Sequence, residues 1–399
     1  MENAESAPNR SIRRYVCVLT NAYPDYPDSN RVVFIRNLAQ FLSQKGWTVS
    51  VVAPRIYSDS RSHEWEDGIE VRRFASFMGN KLLVEYSGTP IFRLMGYMAA
   101  GVAEAVRCVR ARKCGLIHAH WVIPAGLIAL IAGAICRKPV IVTAHDSDIL
   151  VAARENPIMK RLAGLVLKRA DGVTSVAEHL SEIIAEMGIP REKVVTFPMS
   201  VVTDSFTHAG PLHEDWAGEQ VIFSNRSLYP VYNVETLARA IPAVLEKFPR
   251  VKTVIAGEGP EAQQIVAITR ETRIEEHVRF AGAIAHERMP EYLRAASVYV
   301  STALSDGASV SLLEAMACGT FPVVADIPAN REWIRDGENG LLFTPGNAQA
   351  LAEKIMECLG RPALREQARE INVKDIQQRA QWNSNVGKLL ELYEKAMIR

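Results

Sequence analysis

The sequence predicts an α/β fold of two doubly wound, Rossmann-like domains that face each other across a cleft. Three observations predict it. Short apolar runs of strand length alternate with amphipathic helical patterns along the whole chain, which is typical of parallel sheets covered by helices on both faces. The alternation pauses once, at the polar residues 203–218, which include Pro211 and two glycines, and then restarts. The length of 399 residues is sufficient for two hydrophobic cores.

The first domain is expected over residues 1–205, with seven strands. The apolar runs that predict these strands are residues 15–20, 48–53, 69–74, 116–120, 139–144, 172–176 and 194–197. Helical patterns lie between several of the runs; residues 32–44 end at Gly46 and residues 176–187 end at Gly188. Glycine commonly ends a helix because it readily adopts the left-handed conformation required there.

The second domain is expected over residues 206–375, with six strands. The corresponding apolar runs are residues 221–224, 251–256, 278–280, 298–301, 321–325 and 341–343. In open parallel sheets of this kind, ligands bind at the carboxyl ends of the strands. The loops that follow the strands are therefore the segments in which to look for a site.

The composition excludes several classes of protein. The chain is 48% hydrophobic and 23% charged, with a net charge of +1, which is typical of a globular enzyme and argues against a nucleic-acid-binding protein. The six cysteines have no short paired spacing, and no cluster of metal ligands accompanies them, so we expect reduced thiols and no metal site. The polar N-terminus lacks a signal core, and the longest apolar run, residues 123–136, is too short to cross a bilayer. A cytoplasmic protein is expected, with at most peripheral contact at the inner face of the membrane.

The most informative segment is residues 305–319, which lie between two predicted strands and are expected to form a loop followed by a helix. Ser305 or Asp306 can cap the start of this helix, and Gly319 can end it. A glycine-containing loop that opens a helix offers free backbone N–H groups and a positive dipole end to an anion. Glu314 adds an acceptor for a ribose or sugar hydroxyl. The anion site and this acceptor together favour a nucleotide ligand. The alternative is an ordinary capped helix with Glu314 at the surface.

This segment resembles the acid-x7-acid signature of the retaining glycosyltransferases of family four, the group 1 glycosyltransferases. The tail Glu-Ala-Met-Ala-Cys-Gly-Thr-Phe-Pro-Val-Val, residues 314–324, matches the family closely. The first acid is Asp306 where the family has glutamate, and residues 307–309 replace its Gly-Phe-Gly. The resemblance implies the GT-B fold, with residues 376–399 returning to the first domain as a helix. It also implies retaining transfer of a sugar from a nucleotide-diphosphate sugar to a hydroxyl acceptor, without a metal ion or other cofactor.

In the family, the donor binds to the second domain. The resemblance implies that Glu314 binds the ribose and that Asp306 reaches the transferred sugar. The diphosphate would then lie against the backbone amides of the loop, which belong to Gly307, Ala308, Ser309 and Val310. The Gly257-Glu258-Gly259-Pro260 turn resembles a family loop under the nucleotide, and it is also a tight strand-to-helix turn.

The expected cationic clamp on the diphosphate is only half present. Arg226 follows the first strand of the second domain and matches a family arginine that contacts the diphosphate. The family has a lysine five residues later, where this chain has Val231. Arg294 and Lys252 are the candidates to replace that lysine.

Family resemblance also assigns residues of the first domain. His120 ends a strand, and it matches a histidine whose side chain or neighbouring backbone approaches the donor sugar. His145 and Asp148 belong to a segment similar to the family's Thr-x-His-Gly-Ser-Asp-Ile, and Asp148 is a candidate to hold acceptor hydroxyls. The first loop lacks the family's glycine pair. Asn30 and Arg31 are the candidates to make the corresponding contact; the alternative is that the loop mainly shapes the acceptor site.

The acceptor is expected to be a glycan or a lipid-linked glycan, as in surface polysaccharide or glycolipid assembly. Residues 80–113 are mostly apolar at first and basic at the end, a pattern that suits a membrane surface or equally a core helix with a solvated basic end. Two alternative functions remain: a sugar phosphorylase or epimerase on the same fold, and a non-catalytic glycosyltransferase-like partner subunit.

Overall fold

The computed structural model of the chain describes residues 14–25, 32–78, 91–146, 149, 157–216 and 218–398. Its first sheet has eight strands in the order β3-β4-β2-β1-β5-β6-β7-β8. Their bounds are β1 Tyr15–Leu19, β2 Thr48–Arg55, β3 His63–Glu66, β4 Ile69–Ala75, β5 Leu116–His120, β6 Val140–Ala144, β7 Gly172–Ser175 and β8 Val194–Thr196. The helices that connect them are α1 Val33–Gln44, α2 Ile91–Arg112, α3 Leu127–Cys136, α4 Pro157–Arg169 and α5 Glu178–Glu186.

The second sheet has six strands in the order β11-β10-β9-β12-β13-β14. Their bounds are β9 Val221–Ser224, β10 Lys252–Ala256, β11 Val278–Gly282, β12 Val298–Ser301, β13 Phe321–Ala325 and β14 Leu341–Phe343. The helices of this half are α6 Glu235–Lys247, α7 Ala262–Glu271, α8 Met289–Ala295, α9 Val310–Ala317, α10 Pro328–Arg331, α11 Ala348–Gly360 and α12 Pro362–Arg379. A last helix, α13 Trp382–Ile398, ends the described chain.

These two sheets confirm the predicted fold class. Every strand pair between named strands is parallel except β3 with β4, which is antiparallel. The central strands β5 and β6 are buried along their whole length, because helices cover both faces of the sheet. The sequence did not predict β3, since His-Glu-Trp-Glu contains no apolar run; this short edge strand is stabilised by pairing with β4.

The strand order reverses at one point in each sheet, between β1 and β5 in the first and between β9 and β12 in the second. A reversal leaves a crevice at the carboxyl ends of the two central strands, and ligands of doubly wound folds bind there. The loops after β5, β9 and β12 are therefore the parts of the structure that position a site.

The chain crosses back to the first domain after α12. Val201 N donates to the carbonyl of Ala380 at 2.9 Å, which ties the crossing point to the chain just before the linker, residues 203–218. Helix α13 then packs on α1 and on β5, β6 and β7. Its Trp382 stacks on Phe41 with ring centroids 5.3 Å apart, and its Tyr393 hydroxyl lies 2.6 Å from Nδ1 of His118.

Two carboxylates of the second domain, Glu287 and Glu332, also contact the first domain. Arg36 on α1 lies 3.5 Å from the carboxylate of Glu287. On the other side, the carboxylate of Glu332 accepts the backbone N–H groups of Glu178 and His179 at 3.1 and 2.9 Å, which caps the start of α5. Within the described ranges no helix is both long and apolar enough to cross a membrane.

Candidate functional site

The carboxyl edges of the two sheets meet at the loop between β12 and α9. Gly307 in this loop lies against the first domain, and a Cβ atom there would collide with the carbonyl oxygen of His145. Only glycine permits such a close approach. Arg226 and Asp306 follow β9 and β12, and His120 ends β5, so the side chains predicted from the sequence lie at both points of strand reversal.

Arg226 is the centre of the polar cluster in the second domain. Its Nη1 donates to the hydroxyls of Ser309 and Ser311 at 2.7 and 2.8 Å. Its Nη2 donates to Oδ2 of Asp306 at 2.6 Å. The guanidinium also lies over the ring of Tyr232, with Cζ 4.2 Å from the ring centroid. Four side chains from two segments, residues 306–311 and Tyr232, therefore fix the position of one buried cation.

Arg226 remains protonated although only 8% of the residue is exposed. Burial lowers the pKa of Arg226, but Asp306 together with the nearby Tyr232 and Tyr299 outweighs that effect and raises the pKa above its usual value. Nε of Arg226 is buried and has no hydrogen-bond partner among the described residues. A buried donor without a partner costs about 1–3 kcal/mol, so this atom would gain from an additional acceptor.

The second cation of the clamp is not replaced by the two residues suggested from the sequence. The side chain of Arg294 donates to the carbonyls of Thr207 and Pro211 at 3.1 and 2.9 Å, away from the loop after β12. Lys252 is the first residue of β10 and therefore lies at the amino end of that strand. Both suggestions were wrong, because sequence proximity to a strand does not tell which edge a side chain reaches. Val231 itself is 40% exposed.

Glu314 lies inside α9 and is buried, with 6% exposed, so it is not the surface residue of the alternative interpretation. Its Oε1 lies 2.7 Å from Nε2 of His286, and the imidazole packs against the ring of Phe206 at 4.9 Å between centroids. Burial lowers the pKa of His286, but its hydrogen bond and charge interaction with Glu314 outweigh burial and raise the pKa above the usual value. Glu314 is thereby held in one orientation.

The start of α9 differs from the prediction. The N-cap is Ser309, whose hydroxyl accepts the backbone N–H of Leu312 at 3.4 Å, and the helix begins at Val310. Neither Ser305 nor Asp306 caps it, because the loop remains non-helical until residue 309 and Asp306 turns to Arg226 instead. Gly319 follows the helix with a φ of 76°, as predicted.

Gly257 and Gly259 pack against the loop that carries Arg226. Gly257 has a φ of 131°, and a Cβ atom on either glycine would collide with the backbone of Arg226 or Leu228. Leu228 N donates to the carbonyl of Glu258 at 2.9 Å, which joins the two loops. Both glycines are therefore required for the placement of Arg226, whatever lies above them.

Three buried histidines line the first-domain side. Nδ1 of His120 lies 2.9 Å from Nε2 of His145, and Nε2 of His120 is buried without a partner among the described residues. Behind them, His118 is held by Tyr393 and Thr143, each at 2.6 Å. Burial lowers the pKa of His120 well below its usual value and the pKa of His145 to about 3. Both rings are therefore neutral at physiological pH.

The remaining acceptor predictions, Asn30, Arg31 and Asp148, lie outside the described residues. The structure brings in three side chains that the sequence did not assign: His286, Ser311 and Tyr232. Tyr232 directly follows Val231, the position of the missing lysine, and Ser311 lies within residues 305–319. Their positions next to family motifs were therefore weak evidence for a role in the site. His286 belongs to no motif, and nothing in the sequence indicated it.

Comparisons with known proteins agree with this geometry. Residues 214–375 match a family model described as glycosyl transferases group 1, and residues 32–199 match a glycosyl transferase 4-like domain. A phosphatidyl-myo-inositol mannosyltransferase of Mycobacterium leprae is 31% identical over 202 residues, which are 50% of this chain and 53% of that relative. The Mycobacterium tuberculosis (strain ATCC 25618 / H37Rv) protein of the same description is 25% identical over 368 residues, which are 90% of this chain and 91% of the relative.

Among solved structures, Anabaena HepE in complex with UDP and glucose has a TM-score of 0.75 and 20% sequence identity. The superposition covers 94% of this chain and 99% of that chain. This likeness confirms the GT-B arrangement of the two domains.

Proposed function

The chain belongs to the group 1 glycosyltransferases, and from that membership we propose a retaining transfer from a nucleotide-diphosphate sugar to a hydroxyl acceptor. The observation that carries this proposal is that Arg226, Asp306 and Glu314 lie at the same edge of the second sheet. They come from the loops after β9 and β12 and from α9. A cation, loop amides and two acids suit a ligand that carries both phosphate and hydroxyl groups.

Each side chain has a role in this proposal. The reaction develops negative charge on the leaving diphosphate and positive charge at the anomeric carbon, so it needs preorganised groups of both signs. Arg226 and the amides of residues 307–310 stabilise the diphosphate. Glu314 accepts the ribose hydroxyls, and Asp306 reaches the transferred sugar.

The contact between Arg226 and Asp306 implies an exchange of partners on donor binding. Oδ2 of Asp306 accepts a hydrogen bond from Nη2 of Arg226. A phosphate oxygen is equally able to accept this hydrogen bond. A bound diphosphate takes over this donor and also the free Nε, and Asp306 is released toward the sugar. His120, neutral and with an unpaired buried Nε2, then contacts the sugar from the first domain.

We expect a matched nucleotide sugar to raise the melting temperature of the protein. A donor at about a hundred times its Kd adds about 2.7 kcal/mol to the free energy of unfolding. A thermal-shift screen of uridine, guanosine and adenosine diphosphate sugars identifies the donor, and NMR of the product formed with a sugar acceptor reports the anomeric configuration. No shift with any of these donors, or inversion at the anomeric carbon, would contradict the proposal.

The acceptor side favours a glycan on a lipid carrier, at the surface of a membrane. The relatives named above are described as phosphatidyl-myo-inositol mannosyltransferases. In this chain the start of α2 exposes Phe92 and Met95, by 88% and 62%, and its last turn carries the exposed Arg110. Arg112 in the same turn is bound to the carboxylate of Glu70. Apolar side chains and a cation on the same helix favour binding to anionic lipid surfaces.

Phe92→Ser is expected to weaken sedimentation of the protein with anionic vesicles at low salt. Removing an exposed phenylalanine costs little stability, so the loss reports contact with lipid. Ile158→Ser, at a residue 73% exposed on α4, is the matched control and should sediment like the wild type. A wild-type protein that stays in the supernatant, and transfers only to free small molecules, would refute the membrane contact.

A further inference from the structure

The side chains of the donor site carry an unfavourable charge balance. Arg226 contributes one positive charge, and Asp306 and Glu314 contribute two negative charges. Val231 is uncharged. Without His286, these three charged side chains therefore sum to one negative charge, while a nucleotide sugar brings further negative charge on each phosphate. Like charges repel, so a second cation near these acids favours binding of the donor.

His286 is placed to supply that cation. Its imidazole lies between Glu314, at 2.7 Å, and the ring of Phe206, and 14% of its side chain is exposed. The next residue, Glu287, reaches Arg36 of the first domain. His286 therefore contacts the carboxylate proposed for the ribose and is covered from two sides.

We propose that protonated His286 balances the charge of Glu314 and so takes the part of the missing second cation in donor binding. This inference rests on the proposed function, because it assumes that Glu314 and Arg226 hold the donor. The imidazolium is a positioning group: it holds one carboxylate oxygen of Glu314 and leaves the other for the ribose. The site is then neutral overall when the donor approaches.

The proposal predicts the direction in which donor affinity changes with pH. The charged groups facing His286 are Glu314 on α9, Glu287 beside it and Arg36 on α1. The two carboxylates favour the imidazolium, Arg36 and burial oppose it, and the balance raises the pKa of His286. The proton is therefore present below this raised pKa and lost as the pH rises through it. Donor affinity should be high at low pH and fall above it.

Calorimetry between about pH 5.5 and about pH 8.5, on either side of the usual histidine pKa, tests the inference. UDP-glucose and GDP-mannose are the probes, since both phosphates are esterified and do not titrate like a free terminal phosphate, whose pKa is about 6. We expect wild-type affinity to fall about three- to tenfold over this range. His286→Gln keeps a hydrogen-bond donor but not the charge, and its weaker affinity should be independent of pH.

His208→Gln is the matched control, because His208 is an exposed histidine of the linker, and it should keep the wild-type pH profile. NMR titration of the ligand-free protein gives a readout that needs no donor. We expect the pKa of His286 to lie above the usual value and to fall in Glu314→Gln. A normal pKa, or a pH dependence that survives in His286→Gln, would overturn this inference alone. Absence of binding by every nucleotide sugar would overturn the proposed function together with it.

Discussion

Replacing Arg226 with alanine is expected to cause the largest loss of donor affinity of any single substitution in this protein. A charge-assisted hydrogen bond contributes about 1.5–3 kcal/mol, so the nucleotide sugar should bind about ten- to a hundredfold more weakly. Val231 carries no charge. Under the proposed function, Arg226 is therefore the principal side chain expected to contact the diphosphate. Calorimetry with the donor found in the thermal-shift screen measures the effect.

Arg226→Ala also has a cost in stability, which must be separated from the loss of binding. The substitution leaves Asp306, whose side chain is 14% exposed, without its cation; breaking a buried pair in this way costs about 3–5 kcal/mol. The double variant with Asp306→Asn should recover part of that stability but none of the donor affinity. Val231→Lys in the Arg226→Ala background should recover part of the affinity. Unchanged donor affinity in Arg226→Ala would remove this residue from the site.

The fold was predictable from the sequence because buried parallel strands consist of short apolar runs. All thirteen predicted runs coincide with strands, and the one strand that was missed, β3, has the polar sequence His-Glu-Trp-Glu. Its pairing with β4 depends on a neighbouring strand and not on its own composition. Position along the sequence could likewise not show that Arg294 and Lys252 point away from the cleft.

The contacts within the site could not be predicted, because they join residues far apart in the chain. Arg226 and Asp306 are separated by 80 positions, and His286 and Glu314 by 28. The family signature indicated the acids and the arginine but not which of them touch. Asp306 binds the guanidinium of Arg226, and Ser309, directly before the first helical residue, caps α9 in its place. Tertiary contacts therefore override the local preference of Asp306 for a helix start.

The two acids are expected to respond differently to neutralisation, because they face different partners. Glu314 is fixed within α9 and held by His286, so the ribose is its expected ligand. Glu314→Gln should weaken binding of the free nucleoside diphosphate and of the full donor alike, by about 1–3 kcal/mol.

Asp306→Asn should leave binding of the free nucleoside diphosphate undiminished while lowering transfer and discrimination between donor sugars. Asp306 competes with the diphosphate for Nη2 of Arg226, so neutralising it removes a competitor, and its own expected partner is present only in the full donor. Calorimetry with both ligands on both acid variants, with Asp204→Asn at an exposed linker position as control, measures the difference. If Asp306→Asn damages free nucleotide binding as much as Glu314→Gln does, the two acids share one ligand, and the exchange of partners at Arg226 does not occur.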